Sequence, residues 1–123
     1  MLKTVKYINS PIFPVYLGIC DNAEAWHKHM RYLKISPSPE FSGTSGRCTT
    51  FESKDQLIVI ISVDSEKLKD KPMFIKYEIL AHEASHAADF IFEYVGEKHP
   101  GAETKAYVQQ WIVREFGMIL KWE

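Results

Sequence analysis

Leu57-Ile58-Val59-Ile60-Ile61 is a run of five aliphatic residues without a polar member, bounded by Gln56 and Ser62. Strand side chains alternate between two faces, so this run reads as a central strand covered on both sides. It therefore asks for a sheet with other elements packed over it, and the rest of the chain can supply them. Arg47 to Glu52 precedes the run across the turn-like Ser53-Lys54-Asp55, which predicts a hairpin. Thr4 to Ile8 and Ile12 to Ile19 are rich in β-branched and aromatic residues and are split by Asn9-Ser10-Pro11, which predicts two further short strands.

Helical signals fill the intervals. Asp21 or Asn22 can cap a helix running to about Lys34, with Ala23, Trp26, Met30 and Leu33 at helical spacing. Pro72 suits the first turn of a long helix and Gly96 its end, with no other Gly or Pro between them. A last helix is expected from about Ala102 to Lys121, weakened locally by Gly117. Ser36 to Gly46 is the one loop-like run, and its Ser42-Gly43-Thr44-Ser45-Gly46 end reads as a flexible connection or a flap over a cleft. The expectation is one α+β domain over residues 1–123, a small, mostly antiparallel sheet packed against a long helix and a C-terminal helix. A chain of 123 residues fits one core and is too short for two ordinary domains.

With 46% hydrophobic and 25% charged residues, the composition is that of a soluble globular chain and excludes collagen-like, disordered and multi-span membrane classes. Fifteen Lys+Arg stand against sixteen Asp+Glu, a net charge of -1, so no strong basic field is expected and no nucleic-acid partner is predicted. Lysines at positions 3 and 6, with no small-residue cleavage site after them, argue against an export signal. Pro11 to Cys20 is the longest charge-free apolar stretch near the start and falls far short of the roughly 20 residues a membrane helix needs. Cys20 and Cys48 are isolated and read as buried free thiols of a reducing compartment. A cytoplasmic protein without a membrane segment is expected.

Chemistry concentrates in the long predicted helix, at His82-Glu83-Ala84-Ser85-His86. Histidines four apart project from one helix face about a turn from each other, so both imidazoles can reach one cation. Glu83 stands about 100° around the helix from His82, beside the ligands, where a carboxylate can take a proton from an activated water. The flanking residues Ile79, Leu80, Ala81, Ala84, Ser85, Ala87 and Ala88 carry no charge, as a half-buried metal-bearing helix requires. Zinc in catalytic sites takes three protein ligands and leaves a fourth position open, so a third donor must come from elsewhere. Glu103 follows His86 by seventeen residues, across a turn at Gly96 to Gly101, and an antiparallel return helix would bring it back over the histidines. Small Ala106 and aromatic Tyr107 would let that helix pack tightly with Glu103 turned inward. Asp89 on the same helix and His99 in the turn are weaker candidates, since a third donor from one straight helix rarely closes a tetrahedral site. Glu78, His82, His86, Asp89 and Glu93 form one polar stripe, whose carboxylates could orient the imidazoles.

His82-Glu83-x-x-His86 followed by Glu103-x-x-Ala106-Tyr107 resembles the zincin metallopeptidases of the glutamate-ligand type, the gluzincins, and is most similar to small zinc-peptidase-like proteins of phages and prophages. The resemblance covers roughly residues 56 to 116. It departs from thermolysin-like enzymes in the residues around the third ligand, where Ala102 and Tyr107 replace Asn and Asp. Asp89 and Phe92 stand where a metzincin would have its Gly and third His. The resemblance implies a zinc-dependent peptidase, with His82, His86 and Glu103 holding the metal, Glu83 as general base, and a peptide or protein substrate extended along a sheet edge. If phage-encoded, it would act in the host cytoplasm. The competing expectations are a non-catalytic metal-binding module that regulates or captures a host factor, and a metal-free helical pair with fortuitous histidines; manganese or iron suits the same donors as zinc.

Overall fold

The apolar run forms β4 (Leu57–Val63), and it is an inner strand. The computed structural model, which describes residues 1–12 and 14–122, is α+β, with a four-stranded mixed sheet and four helices. β1 (Lys6–Ile8), β2 (Val15–Cys20) and β3 (Gly46–Glu52) complete the sheet in the order β1-β2-β4-β3. β1 pairs antiparallel with β2 and β3 antiparallel with β4, while β2 and β4 run parallel, Leu17 opposite Val59. The expected hairpin is β3–β4. Both N-terminal strands are shorter than predicted, and Phe13, part of the predicted run Ile12 to Ile19, lies outside the described residues.

Register explains why β4 has no polar side. Val15, Leu17 and Ile19 of β2 join Leu57, Val59 and Ile61 of β4 on one sheet face, against Leu80, Ala84, Ala87 and Ile91 of α3 (Met73–Tyr94) and Ile112 and Phe116 of α4 (Ala102–Leu120). Cys20 and Ile60 face the other way, against Trp26 and Met30 of α1 (Ala23–Leu33), with Val5 and Phe41. Each fully buried Leu or Ile here contributes roughly 1.5–3 kcal/mol, so β4 is secured from both sides.

Helix ends follow the local chemistry. Asn22 caps α1, its side chain accepting from the Ala25 N–H at 2.8 Å. Pro72 takes the cap position of α3 and so precedes the first turn it was expected to occupy. Gly96, at φ +80°, ends that helix in the left-handed conformation, with the Glu97 N–H donating to the Phe92 carbonyl at 2.9 Å. A four-residue helix, α2 (Ser65–Leu68), was not foreseen; the Asp64 carboxylate caps it through the Glu66 and Lys67 N–H groups. Gly117 does not interrupt α4. Its missing side chain is the seat of Tyr77, since a Cβ there would lie 2.8 Å from the Tyr77 hydroxyl, which donates to the Trp122 carbonyl at 2.6 Å. Among the described residues no helix is long and apolar enough to cross a membrane.

Candidate metal centre

Three chemistry-bearing side chains meet on the outer surface of α3. His82 and His86, one turn apart, are exposed, and Glu83 beside them is buried. One donor atom from each lies within 4.8 Å of the others. The His82 and His86 Nε2 atoms are 3.2 Å apart. Two nitrogens bound to one tetrahedral zinc at about 2.0–2.1 Å would be separated by about 3.3 Å, so the pair already has the spacing a shared ion requires. The rings are near perpendicular, at 76°.

Glu83 is held between α3 and the start of β3. A Cβ on Gly46 would lie 2.7 Å from Ile79 Cγ2 and 3.2 Å from Glu83 Cγ, so only glycine lets the strand come this close. Burial pushes the Glu83 carboxyl above its usual range, and the charges of His82, His86 and Arg47 pull partly back. A carboxylate with its proton affinity raised in this way is suited to accept a proton. Cys48 is beside it, but burial and the Glu83 charge push its thiol up to about 12, so it stands as an inert neighbour. Thr44, Ser45 and Gly46 form one wall of an open cavity of about 440 Å³, with Glu78, Ile79, His82 and Glu83 as the other. The run read as a flap thus borders the cleft.

Glu103 does not enter the group. It is exposed on the first turn of α4, as are Ala106 and Tyr107, the latter at 63%. The expectation that α4 would pack tightly through Ala106 and Tyr107 and turn the Glu103 carboxylate inward needs correction. Val108, Trp111, Ile112 and Phe116 pack toward the core and set the roll of the helix, which carries positions 103, 106 and 107 outward. Two contacts hold that roll: the Gln109 side chain donates to the Ala81 carbonyl at 3.0 Å, and Lys105 pairs with Asp89 at 2.7 Å. Asp89 is therefore engaged by a lysine, and neither it nor His99 joins the histidines. Among the described residues no carboxylate of the polar stripe hydrogen-bonds to either imidazole.

Sequence reasoning missed Gly46, read as part of a flexible run, and the proximity of Arg47 and Cys48 to Glu83. Pairing of β3 with β4 over Gly46 to Glu52 was foreseeable, but not the helix that its first residue would touch. Comparison with known proteins finds no matching family model, no matching curated protein and no matching solved structure.

Proposed function

We propose that the protein is a zinc-dependent peptidase of gluzincin type, with His82 and His86 as metal ligands and Glu83 as general base. The single observation that carries this reading is the convergence of two imidazole Nε2 atoms 3.2 Å apart beside a buried carboxyl. A divalent ion bound there would supply Lewis acidity, polarising a carbonyl and acidifying a water. Glu83, with its raised proton affinity, would take the proton of the attacking water and pass it to the leaving amine. The open cavity beside Gly46 lies against β3, an edge strand whose outer hydrogen-bonding groups suit an extended peptide. Glu103 is the third donor that the sequence resemblance implies, and it stands outside the group, exposed on α4. Cys20 and Cys48 are free thiols, which supports a reducing, cytoplasmic setting.

A second reading, metal binding without turnover, is favoured by the position of Glu103 outside the group. The two are separated by incubating zinc-loaded wild type and Glu83→Gln with a diverse peptide library and locating new termini by mass spectrometry. Cleavage by wild type that falls at least about a hundredfold in the variant supports the peptidase. Equal cleavage by both removes Glu83 from the chemistry, and zinc uptake with no cleavage by either selects the binding module.

A further inference from the structure

The face of the sheet that carries α1 is different in character from the metal centre. Residues 1–35 hold five Lys+Arg against two Asp+Glu, whereas residues 36–123 hold ten against fourteen. The net charge of -1 thus averages a basic N-terminal region with an acidic remainder. Among the described residues, none of Lys3, Lys6, Lys28, Arg31 and Lys34 has a carboxylate within ion-pair distance.

Aromatic faces are gathered in the same region. Because α1 is short, Tyr7, Tyr16 and Ile58 of the sheet are left open beside His29, Tyr32 and Leu33 of the helix, bounding a cavity of about 310 Å³. Gly18 makes room for Tyr7, whose ring would meet a Cβ there at 3.1 Å, and the Tyr7 hydroxyl is 2.6 Å from His29 Nε2. His29 stacks on Tyr32 at 18° between planes, and Tyr32 is 78% exposed. Burial lowers the proton affinity of His29, which favours the neutral ring. Past His29 and Tyr32 the groove continues into a second cavity of about 220 Å³ bordered by Lys28, and past Lys28 into a third of about 400 Å³ bordered by Lys3 and, on its rim, Glu24. From Glu24 to Tyr32 the groove follows α1 for about 12 Å, more than one nucleotide.

We infer that this groove binds single-stranded nucleic acid, with bases stacked on Tyr32 and Tyr16 and backbone phosphates held by Lys28 and Lys3. Flat, open aromatic faces accept any base, whereas an aliphatic peptide anchor needs an enclosed pocket. Unpaired lysines in line with those faces suit a phosphate chain, and the sharing of Lys28 between two cavities suits a strand more than a lone nucleotide. The inference rests on no part of the metal reading.

Fluorescence anisotropy of a short labelled oligo(dT), titrated with protein at low salt, tests it. Wild type and Glu83→Gln should bind alike, with a slope of log affinity against log salt near about -1.4 for two phosphate contacts. Tyr32→Ala should weaken binding about tenfold and Tyr32→Trp should retain it, both at an exposed position that leaves the core intact. Lys28→Ala should weaken binding and flatten the slope by about 0.7, while Lys98→Ala, in the turn between α3 and α4, should change neither. No binding at low salt, an equal loss in Lys98→Ala, full retention in Tyr32→Ala, or tighter binding of AMP or of an acidic tyrosine-containing peptide would overturn the proposal.

Discussion

Glu83 sits where its charge is unwelcome to the fold and where the proposed chemistry would use it. Its carboxyl is pushed above the ordinary value near 4.5 by burial, while the unfolded chain titrates near that value. Between those two points the folded chain binds more protons than the unfolded one, so stability falls as pH rises through the folded value and the penalty is absent below about 4.5. Glu83→Gln should therefore raise the unfolding temperature of metal-free protein at pH 7, with the difference from wild type vanishing near pH 4, as differential scanning fluorimetry would show. A Tm difference independent of pH would mean that the carboxyl is not the source. Gly46 makes the complementary case for shape. Gly46→Ala would drive a methyl to 2.7 Å from Ile79 and toward Glu83, and overpacking of this kind costs about 1–3 kcal/mol, measurable as a lower urea midpoint.

At the scale of elements, α1 depends on its cap. The Asn22 side chain accepts from the Ala25 N–H and donates to the Leu2 carbonyl at 2.7 Å, tying the N-terminal segment to the helix start. Asn22→Ala should cost about 1–2 kcal/mol in urea unfolding, the upper part of the range for a cap, because two roles are lost together. Lys105→Met, by contrast, should change stability by less than about 1 kcal/mol, since both members of the Lys105–Asp89 pair are substantially exposed. The elements themselves were legible in the sequence because each has a local signature: the apolar run of β4, the Asn22 cap, the glycine at 96. What was not legible is how elements roll against one another. An antiparallel return helix was expected to bring the Glu103 carboxylate inward over the histidines, yet Ile112 and Phe116, further along the same helix, bury the opposite side. The two histidines were legible because one turn of helix determines their relation, whereas a donor from another helix depends on packing that no local pattern encodes.

Across the whole molecule, residues 1–35 carry a basic excess and residues 36–123 an acidic one, and a composition total cannot reveal that. The α3 surface, with its acidic stripe and paired imidazoles, is the one suited to a cation. Anything that binds the folded chain and not the unfolded one stabilises it by mass action, by about 2.7 kcal/mol at a hundredfold excess over the dissociation constant. For a chain of this size that corresponds to a rise of about 10 °C in Tm. Zinc should produce such a shift in wild type, and neither His82→Ala nor His86→Ala should show it, whereas Glu83→Gln should keep it if Glu83 is the proposed base and not a ligand. Glu103→Gln then decides the third donor. If α4 supplies it, zinc affinity falls by more than about tenfold, since even an outer partner of a ligand is worth that much. An unchanged affinity in that variant would assign binding to the two histidines without α4, and would leave the gluzincin pattern in the sequence without its third member.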